Sequence, residues 1–258
     1  MIGSVPLAVD EMQLAPAMIS AAVQNRGHSF VYYDINLELW QQVNKNVEEY
    51  TESVESLTNI KNTELNTVTQ TWINDIVRRL SNVDVFLVNV FSELSQGCAY
   101  KIISRARKQY PNLTILVGGI GAHREIFAGI NQYHTPWLDQ HLPNYSEAAF
   151  GAVLLNNGLI NDFQQDSSHS IIDKWFPLRP SMRPEELVDF KDHRVDQYDW
   201  PGNQQSIPFV GSYGCVRRCS FCDIIKSFPK YLFIEADPMI QQIITTVGTF
   251  GISNLAFM

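Results

Sequence analysis

Apolar segments that suit strands alternate with segments that suit helices over roughly the first 160 residues of the chain. The run VDVFLVNVF at 83–91 is almost continuously apolar, as expected for a parallel strand that is covered on both faces. The segment SFVYYDI at 29–35 is rich in β-branched and aromatic residues and predicts another strand. This alternation predicts an α/β domain with a doubly wound parallel sheet over residues 1–160.

Further elements of this region are predicted from composition and from stop signals. The helical segments LAPAMISAAVQNRG and GCAYKIISRARKQYP end at Gly27 and near Pro111, residue types that commonly follow a helix. A longer polar stretch at roughly 45–80 also predicts helix, and SEAAFGAVLLNNG predicts one that ends at Gly158. The segment LTILVGGIGAH predicts a buried strand that runs into glycines. Ligands of such sheets bind beyond the carboxyl ends of the strands.

The pattern changes after this region and becomes regular again near residue 206. Residues 161–205 contain several prolines and polar runs without strong periodicity, which predicts a linker. From residue 206 onward, SIPFVGS predicts a strand, DPMIQQIITTVGTFG a helix with an acidic N-cap, and ISNLAFM a second strand. We therefore expect a second folded region at 206–258.

Composition and charge place the chain among globular proteins and exclude some functions. The chain is 45% hydrophobic with a net charge of −8, and no run of Lys or Arg is long enough to bind a nucleic-acid backbone. No stretch reaches the roughly 18 apolar residues of a membrane span, and the first residues lack the basic start of a signal peptide. These features predict a cytoplasmic protein and disfavour membranes and nucleic acid as partners.

Three of the four cysteines lie close together in the segment GSYGCVRRCSFCDI. Cys215, Cys219 and Cys222 have the spacing C-x3-C-x2-C, and in a reducing compartment such a cluster indicates metal binding rather than disulfides. Thiolate sulfur selects zinc, copper(I) or iron–sulfur iron. A 4Fe–4S cluster held by three thiolates leaves one iron open to a substrate or cofactor, and the spacing favours this interpretation.

Zinc is the alternative that this spacing leaves open. A structural zinc ion normally takes four protein ligands, so a fourth would have to come from outside the cluster. Cys98 and His193 are the candidates. In that case the protein would be a non-catalytic zinc-binding or regulatory module.

The cysteine segment resembles the corresponding segment of radical SAM enzymes. Cys215-Val-Arg-Arg-Cys219-Ser-Phe-Cys222 has their CxxxCx(aromatic)C form and follows a predicted strand, as it does in that family. The resemblance implies a 4Fe–4S cluster on the three cysteines whose open iron binds S-adenosylmethionine, with Phe221 against the adenine. It also implies a low-potential electron donor such as flavodoxin or ferredoxin. Reductive cleavage of the cofactor would then give a 5′-deoxyadenosyl radical that attacks a small-molecule or other substrate.

The first 160 residues resemble the cobalamin-binding-type domain that precedes the barrel in one branch of this family. LAPAMISAAVQNRG, VDVFLVNV and LTILVGGIGAH carry the likeness, which implies that Gly118 and Gly119 let a ligand approach the backbone. The same two glycines are equally suited to an ordinary tight turn. The Asp-x-His-x-x-Gly signature that supplies a cobalt ligand elsewhere is absent from VDEMQLAP. Cobalamin therefore remains an open expectation.

The resemblance also implies a partial barrel of the TIM type, of which residues 206–258 supply only the first strands and one helix. Such a barrel contains about six strand–helix units, each of roughly 30 residues. We therefore expect the chain to be the front portion of a longer enzyme. An inactive, truncated remnant is the further alternative, and the reaction and substrate stay undetermined at the level of sequence.

Overall fold

A computed structural model describes the following part of the chain. The described residues are 2–3, 16–17, 20, 24, 29–60, 64–90, 93–118, 190–191, 193–199, 205–213, 215–217, 219–220, 231–252 and 254–257. They divide between two compact units. Unit 1 comprises Met1–Val9 and Val31–His134, and unit 2 comprises Asp10–Phe30 and Thr135–Met258.

Unit 1 contains a four-stranded parallel sheet. Its strands are β1 (Ile2–Gly3), β2 (Tyr32–Tyr33), β3 (Val85–Asn89) and β4 (Thr114–Gly118). They lie in the order β2-β1-β3-β4, and every neighbouring pair is parallel. The chain passes from β2 on one side of β1 to β3 on the other. The strand order therefore reverses between β1 and β3, the position where open α/β sheets bind ligands.

In the described part of unit 1, four helices accompany this sheet. They are α1 (Ile35–Gln42), α2 (Val47–Thr58), α3 (Thr67–Arg78) and α4 (Glu93–Gln109), and a 3₁₀ turn follows α3 at Arg79–Asn82. The first three begin at an Asp or Asn whose side chain accepts backbone N–H bonds, which satisfies donors that have no partner inside the helix. These N-caps are Asp34, Asn46 and Asn66.

The core of unit 1 forms where the apolar positions of these elements coincide. The last four residues of β3 are buried, as predicted for a central strand. Helix α3 buries one stripe at helical spacing, with Trp72, Ile73, Ile76 and Val77 inside. Burial of this kind is the main favourable term in folding, at roughly 25 cal/mol per Å² of apolar surface.

The described elements of unit 2 include two small strand pairs and a long helix. Its elements are β5 (Ile207–Phe209), β6 (Ser212–Tyr213), β7 (Leu232–Phe233), α5 (Ala236–Phe250) and β8 (Leu255–Phe257), with a 3₁₀ turn at Val195–Gln197. β5 and β8 are parallel neighbours, and α5 lies between them in the chain, so together they form a βαβ arrangement. α5 ends at Gly251, whose φ of 68° suits glycine.

Several element predictions are confirmed, and two features were not predicted. β2, β3, α4, β4, β5, α5 and β8 lie in the segments predicted for them. The stretch at 45–80 is helical as predicted and contains two helices, because the backbone is extended at Asn59 and α3 starts anew from Asn66. α1 and the β6–β7 pair were not predicted at all.

The larger architectural expectations stay predictions. The described strands of unit 1 are parallel, but a doubly wound sheet also requires helices on both faces. The helix predicted up to Gly158 and the domain boundary at 160 lie outside the described residues, and the boundary at 205 stays a prediction. The partial barrel likewise stays a prediction, since β5 and β8 are the only parallel pair that the structure describes in unit 2.

Candidate metal site in the cysteine loop

The cysteine loop, residues 214–231, begins directly after β6 and ends directly before β7. β6 and β7 pair in the antiparallel sense, with Ser212 opposite Phe233 and Tyr213 opposite Leu232. The Ile234 N–H also donates to the Gly211 carbonyl at 3.0 Å. These backbone bonds hold the two ends of the loop together, so the thiols lie on a segment whose base is fixed.

Two of the three predicted metal ligands lie within the described part of this loop. Cys215 and Cys219 are both exposed, and neither forms a disulfide. Val216 between them is 77% exposed, which is high for an apolar side chain. Solvent-accessible thiols fit the role of metal ligands that must accept iron and a cofactor from solution. Cys222 and Phe221 lie outside the described residues.

The backbone of the loop already places a donor at one of these sulfur atoms. The Arg217 N–H donates to Cys215 Sγ, with 3.4 Å between nitrogen and sulfur. Hydrogen bonds of this type to thiolate sulfur are one of the means by which proteins set the properties of iron–sulfur clusters. The described part of the loop thus offers two exposed thiols and one N–H donor to sulfur, which suit an iron–sulfur cluster, and supplies two of the three proposed ligands.

Aromatic packing anchors β5, the strand that precedes β6 in the chain. Phe209, the last residue of β5, is fully buried. Its ring lies 6.4 Å from that of Phe190 and 6.3 Å from that of Phe257 in β8. At the other end of the strand, the Ile207 N–H donates to the Asn254 carbonyl at 3.0 Å. β5 is thus fixed by packing and by hydrogen bonds, two residues before β6 starts.

His193, one candidate for the fourth zinc ligand, lies in this aromatic cluster. It is 4% exposed, and its ring packs edge-on against Phe190 with 5.4 Å between centroids. Its place is therefore the buried interior of unit 2, whereas Cys215 and Cys219 are exposed. In the described ranges, no group of three or more His, Cys, Asp or Glu side chains is arranged to hold a metal ion.

Cys98, the other candidate for that ligand, lies on α4 in unit 1. It is 1% exposed, and burial raises the pKa of its thiol well above the usual value of 9.0. The thiol is therefore protonated at neutral pH. Cys98 thus behaves as a small buried apolar residue.

The glycines proposed to face a ligand stand at the end of β4. Gly118 pairs with Asn89, the last residue of β3, in the register of the sheet. Gly119 lies outside the described residues. The carboxyl ends of these two strands thus lie side by side, at the edge of the sheet where ligands of this architecture bind.

Buried polar side chains at this edge were not singled out from the sequence. Asn89 ends β3, and Ser95 and Gln96 lie in the first turn of α4; all three are at most 8% exposed. A signal existed, because these residues belong to a polar stretch directly after an apolar strand. Buried polar groups need hydrogen-bond partners, and so they constrain the shape of the edge.

Asp34, which follows β2, has a structural role. Its Oδ1 accepts the Asn36 and Leu37 N–H groups at 3.0 Å, and its Oδ2 accepts the Tyr32 hydroxyl at 3.1 Å. The carboxylate therefore caps α1 and is engaged on both oxygens. This position could have suggested an acid that reads a ribose, but its contacts are those of an N-cap.

Comparison with known proteins found no family model that matches the chain, no curated protein that matches it, and no solved structure that matches it. The resemblance to radical SAM enzymes therefore rests on the residues of the cysteine loop and on the pattern of the first 160 residues.

The helices within the described ranges do not include a membrane span. None of the helices there is both long enough and apolar enough to cross a bilayer.

Proposed function

We propose that the chain belongs to a radical SAM enzyme. Cys215, Cys219 and Cys222 would hold a 4Fe–4S cluster, and Phe221 would contact the adenine of S-adenosylmethionine. When bound, the cluster supplies the electron that cleaves the cofactor to methionine and a 5′-deoxyadenosyl radical. The loop residues bind and orient the cluster, and the strand pair at the base of the loop fixes their position.

The observation that carries this proposal is the cysteine loop itself. Its three cysteines would leave one iron of a 4Fe–4S cluster without a protein ligand, both described thiols are exposed, and a backbone N–H donates to one sulfur. A flavodoxin or ferredoxin of the cytoplasm would supply the electron, because the cluster must be reduced at low potential.

Metal content after anaerobic reconstitution tests the proposal. The protein would be incubated with iron and sulfide in competition with zinc, and EPR spectra of the reduced sample would be recorded with and without S-adenosylmethionine. We expect about four irons per chain and a signal that changes when the cofactor is added. Stoichiometric zinc without an EPR signal would overturn the proposal and would support the zinc module instead.

Two cysteine variants sharpen this experiment. Cys219→Ala should lose the cluster, because it removes one of three ligands. Cys98→Ala is the matched control, since it also removes one thiol but from a buried position on α4. Full iron and sulfide in Cys219→Ala would contradict the ligand assignment. Loss of metal in Cys98→Ala would favour zinc with Cys98 as its fourth ligand.

For unit 1 we propose a cobalamin-binding-like role as part of the same enzyme. The parallel order β2-β1-β3-β4 and the buried polar residues at the carboxyl ends of the strands support a ligand site at that edge. If cobalamin binds, methyl transfer is the favoured reaction. Titration with hydroxocobalamin, followed by its absorbance and by equilibrium dialysis, tests this. Absence of saturable binding would restrict the role of unit 1 to structure.

A further inference from the structure

The cysteine loop contains one hydrogen bond whose effect extends beyond holding the loop in shape. The Arg217 N–H donates to Cys215 Sγ across two residues, at 3.4 Å. The Arg217 side chain is exposed, and so is Cys215. The donor in this bond is the backbone amide, whose position is fixed by the chain. The guanidinium group is exposed, so solvent and salt screen its charge.

We propose that this backbone N–H raises the reduction potential of the cluster and so makes its one-electron reduction easier. The inference rests on the proposed function. The electron enters from a low-potential donor and increases the negative charge that is shared by the iron and sulfur atoms. An N–H dipole that points to a ligand sulfur stabilises this extra charge, so it favours the reduced state more than the oxidised one. Residue 217 is thus a positioning residue whose amide matters more than its side chain.

The proposal makes an unusual prediction about position 217. Any residue except proline keeps the N–H, so side-chain changes there should leave most of the effect in place. Proline alone removes the donor. Arg217→Ala and Arg217→Pro both lose the guanidinium group, and the difference between these two variants reports on the amide.

Midpoint potentials of the reconstituted full chain test the proposal. The clusters of the wild type, Arg217→Ala and Arg217→Pro would be titrated anaerobically with dithionite and followed by EPR. At the potential where Arg217→Ala is half reduced, we expect the ratio of reduced to oxidised cluster in Arg217→Pro to be lower by about tenfold, or about 59 mV for a one-electron couple. Equal potentials in two variants with equal iron content would overturn the inference.

A second measurement covers the case in which Arg217→Pro does not load iron. Wild-type protein with α-¹⁵N-arginine should show a weak ¹⁵N hyperfine coupling to the reduced cluster, because the Arg217 amide lies against a ligand sulfur. In Arg217→Lys the same N–H is present but carries no label, so this coupling should disappear. An identical ¹⁵N signal in both proteins, or no signal in either, would overturn the inference. A wild type that binds no iron would instead overturn the proposed function.

Discussion

At the scale of single residues, the contact between α4 and the end of α2 decides how closely these helices approach. Lys101 on α4 donates from Nζ to the Leu57 carbonyl at 3.1 Å and to the Asn59 carbonyl. The last carbonyls of a helix cannot be satisfied by its own N–H groups, and a cation near a helix C-terminus also interacts favourably with its dipole. Gly97, one turn before Lys101, allows the approach because it has no Cβ.

Gly97→Ala tests this packing. An added Cβ would lie closer than 3.0 Å to the carbonyl oxygens of Leu57 and Thr58, and backbone atoms cannot easily move away. We expect the free energy of unfolding to fall by about 1–3 kcal/mol, measured by urea denaturation and circular dichroism. Gly248→Ala in α5 is the control, because no described residue lies within 4 Å of the position that its added Cβ would take. That change should stabilise the protein by about 0.5–1 kcal/mol, and equal effects of the two substitutions would contradict the packing argument.

Burial of the Cys98 thiol predicts a loss of stability at alkaline pH. Burial raises the pKa of Cys98 above its usual value of 9.0, so the folded state keeps a proton that the unfolded state releases. The contribution of the protonated, buried thiol to the free energy of unfolding is therefore fully present below about pH 9. It is lost as the pH rises further, by up to about 1.4 kcal/mol per pH unit. Tyr50, whose pKa is also raised by burial, adds to this loss only above its usual value of 10.0.

Cys98→Ala isolates the contribution of the thiol. Lys101, whose pKa is lowered by burial, acts in the opposite direction near its usual value of 10.5 and is present in both proteins. Urea unfolding between pH 7 and 10 should show a stability that falls from about pH 9 in the wild type but holds to higher pH in Cys98→Ala. Parallel pH profiles would show that Cys98 does not release a proton on unfolding.

At the scale of elements, an ion pair connects α1 to the end of α3. Arg79 Nη1 donates to both carboxylate oxygens of Glu38, at 2.8 and 2.7 Å. Its guanidinium also lies over the Tyr33 ring, 4.9 Å from the centroid. Arg79 thus joins the 3₁₀ turn after α3 to the end of β2 and to the first turns of α1.

Substitution of Arg79 measures this connection. Arg79→Ala should lower the free energy of unfolding by about 0.5–1 kcal/mol, since the pair is only partly screened from solvent. Arg79→Lys should lose most of that amount as well, because the planar guanidinium group makes both the paired contact and the ring contact. A double-mutant cycle with Glu38→Gln gives the coupling energy, and a coupling near zero would mean that the two side chains act independently.

The same scale shows why some elements were predictable and others were not. β3 and α5 carry long apolar or periodic patterns, and both were found where they were predicted. β6 and β7 have two residues each, too few for any periodicity, and they pair across the whole cysteine loop. α1 was missed because it spans only about two turns and its N-cap Asp34 ends an apparent strand segment. The candidate metal site was predictable only in part. The cysteine spacing can be read from the sequence, whereas the hydrogen bond from the Arg217 N–H to Cys215 Sγ depends on the backbone conformation.

At the scale of the whole molecule, the cysteine loop and the parallel sheet belong to different units. A cluster that binds only the folded loop stabilises the folded state relative to states in which the loop is unfolded. We therefore expect the largest stabilisation in the elements that hold the two ends of the loop together. The closing elements are β6 and β7, together with the Ile234–Gly211 bond. These strands are short, and without metal their amide protons should exchange early.

Hydrogen exchange followed by mass spectrometry measures this distribution over the full chain. Anaerobic loading with iron and sulfide should slow exchange at 211–217 and 231–234, because the proposed ligands lie in the loop that the β6–β7 pair closes. Peptides of β3 and β4 should keep their exchange rates, since the metal has no ligand in that sheet. In Cys219→Ala, treated identically, exchange at 211–217 and 231–234 should not become slower. Slower exchange in β3 and β4 after iron loading, with none at β6 and β7, would place the metal in unit 1 and contradict the proposed site.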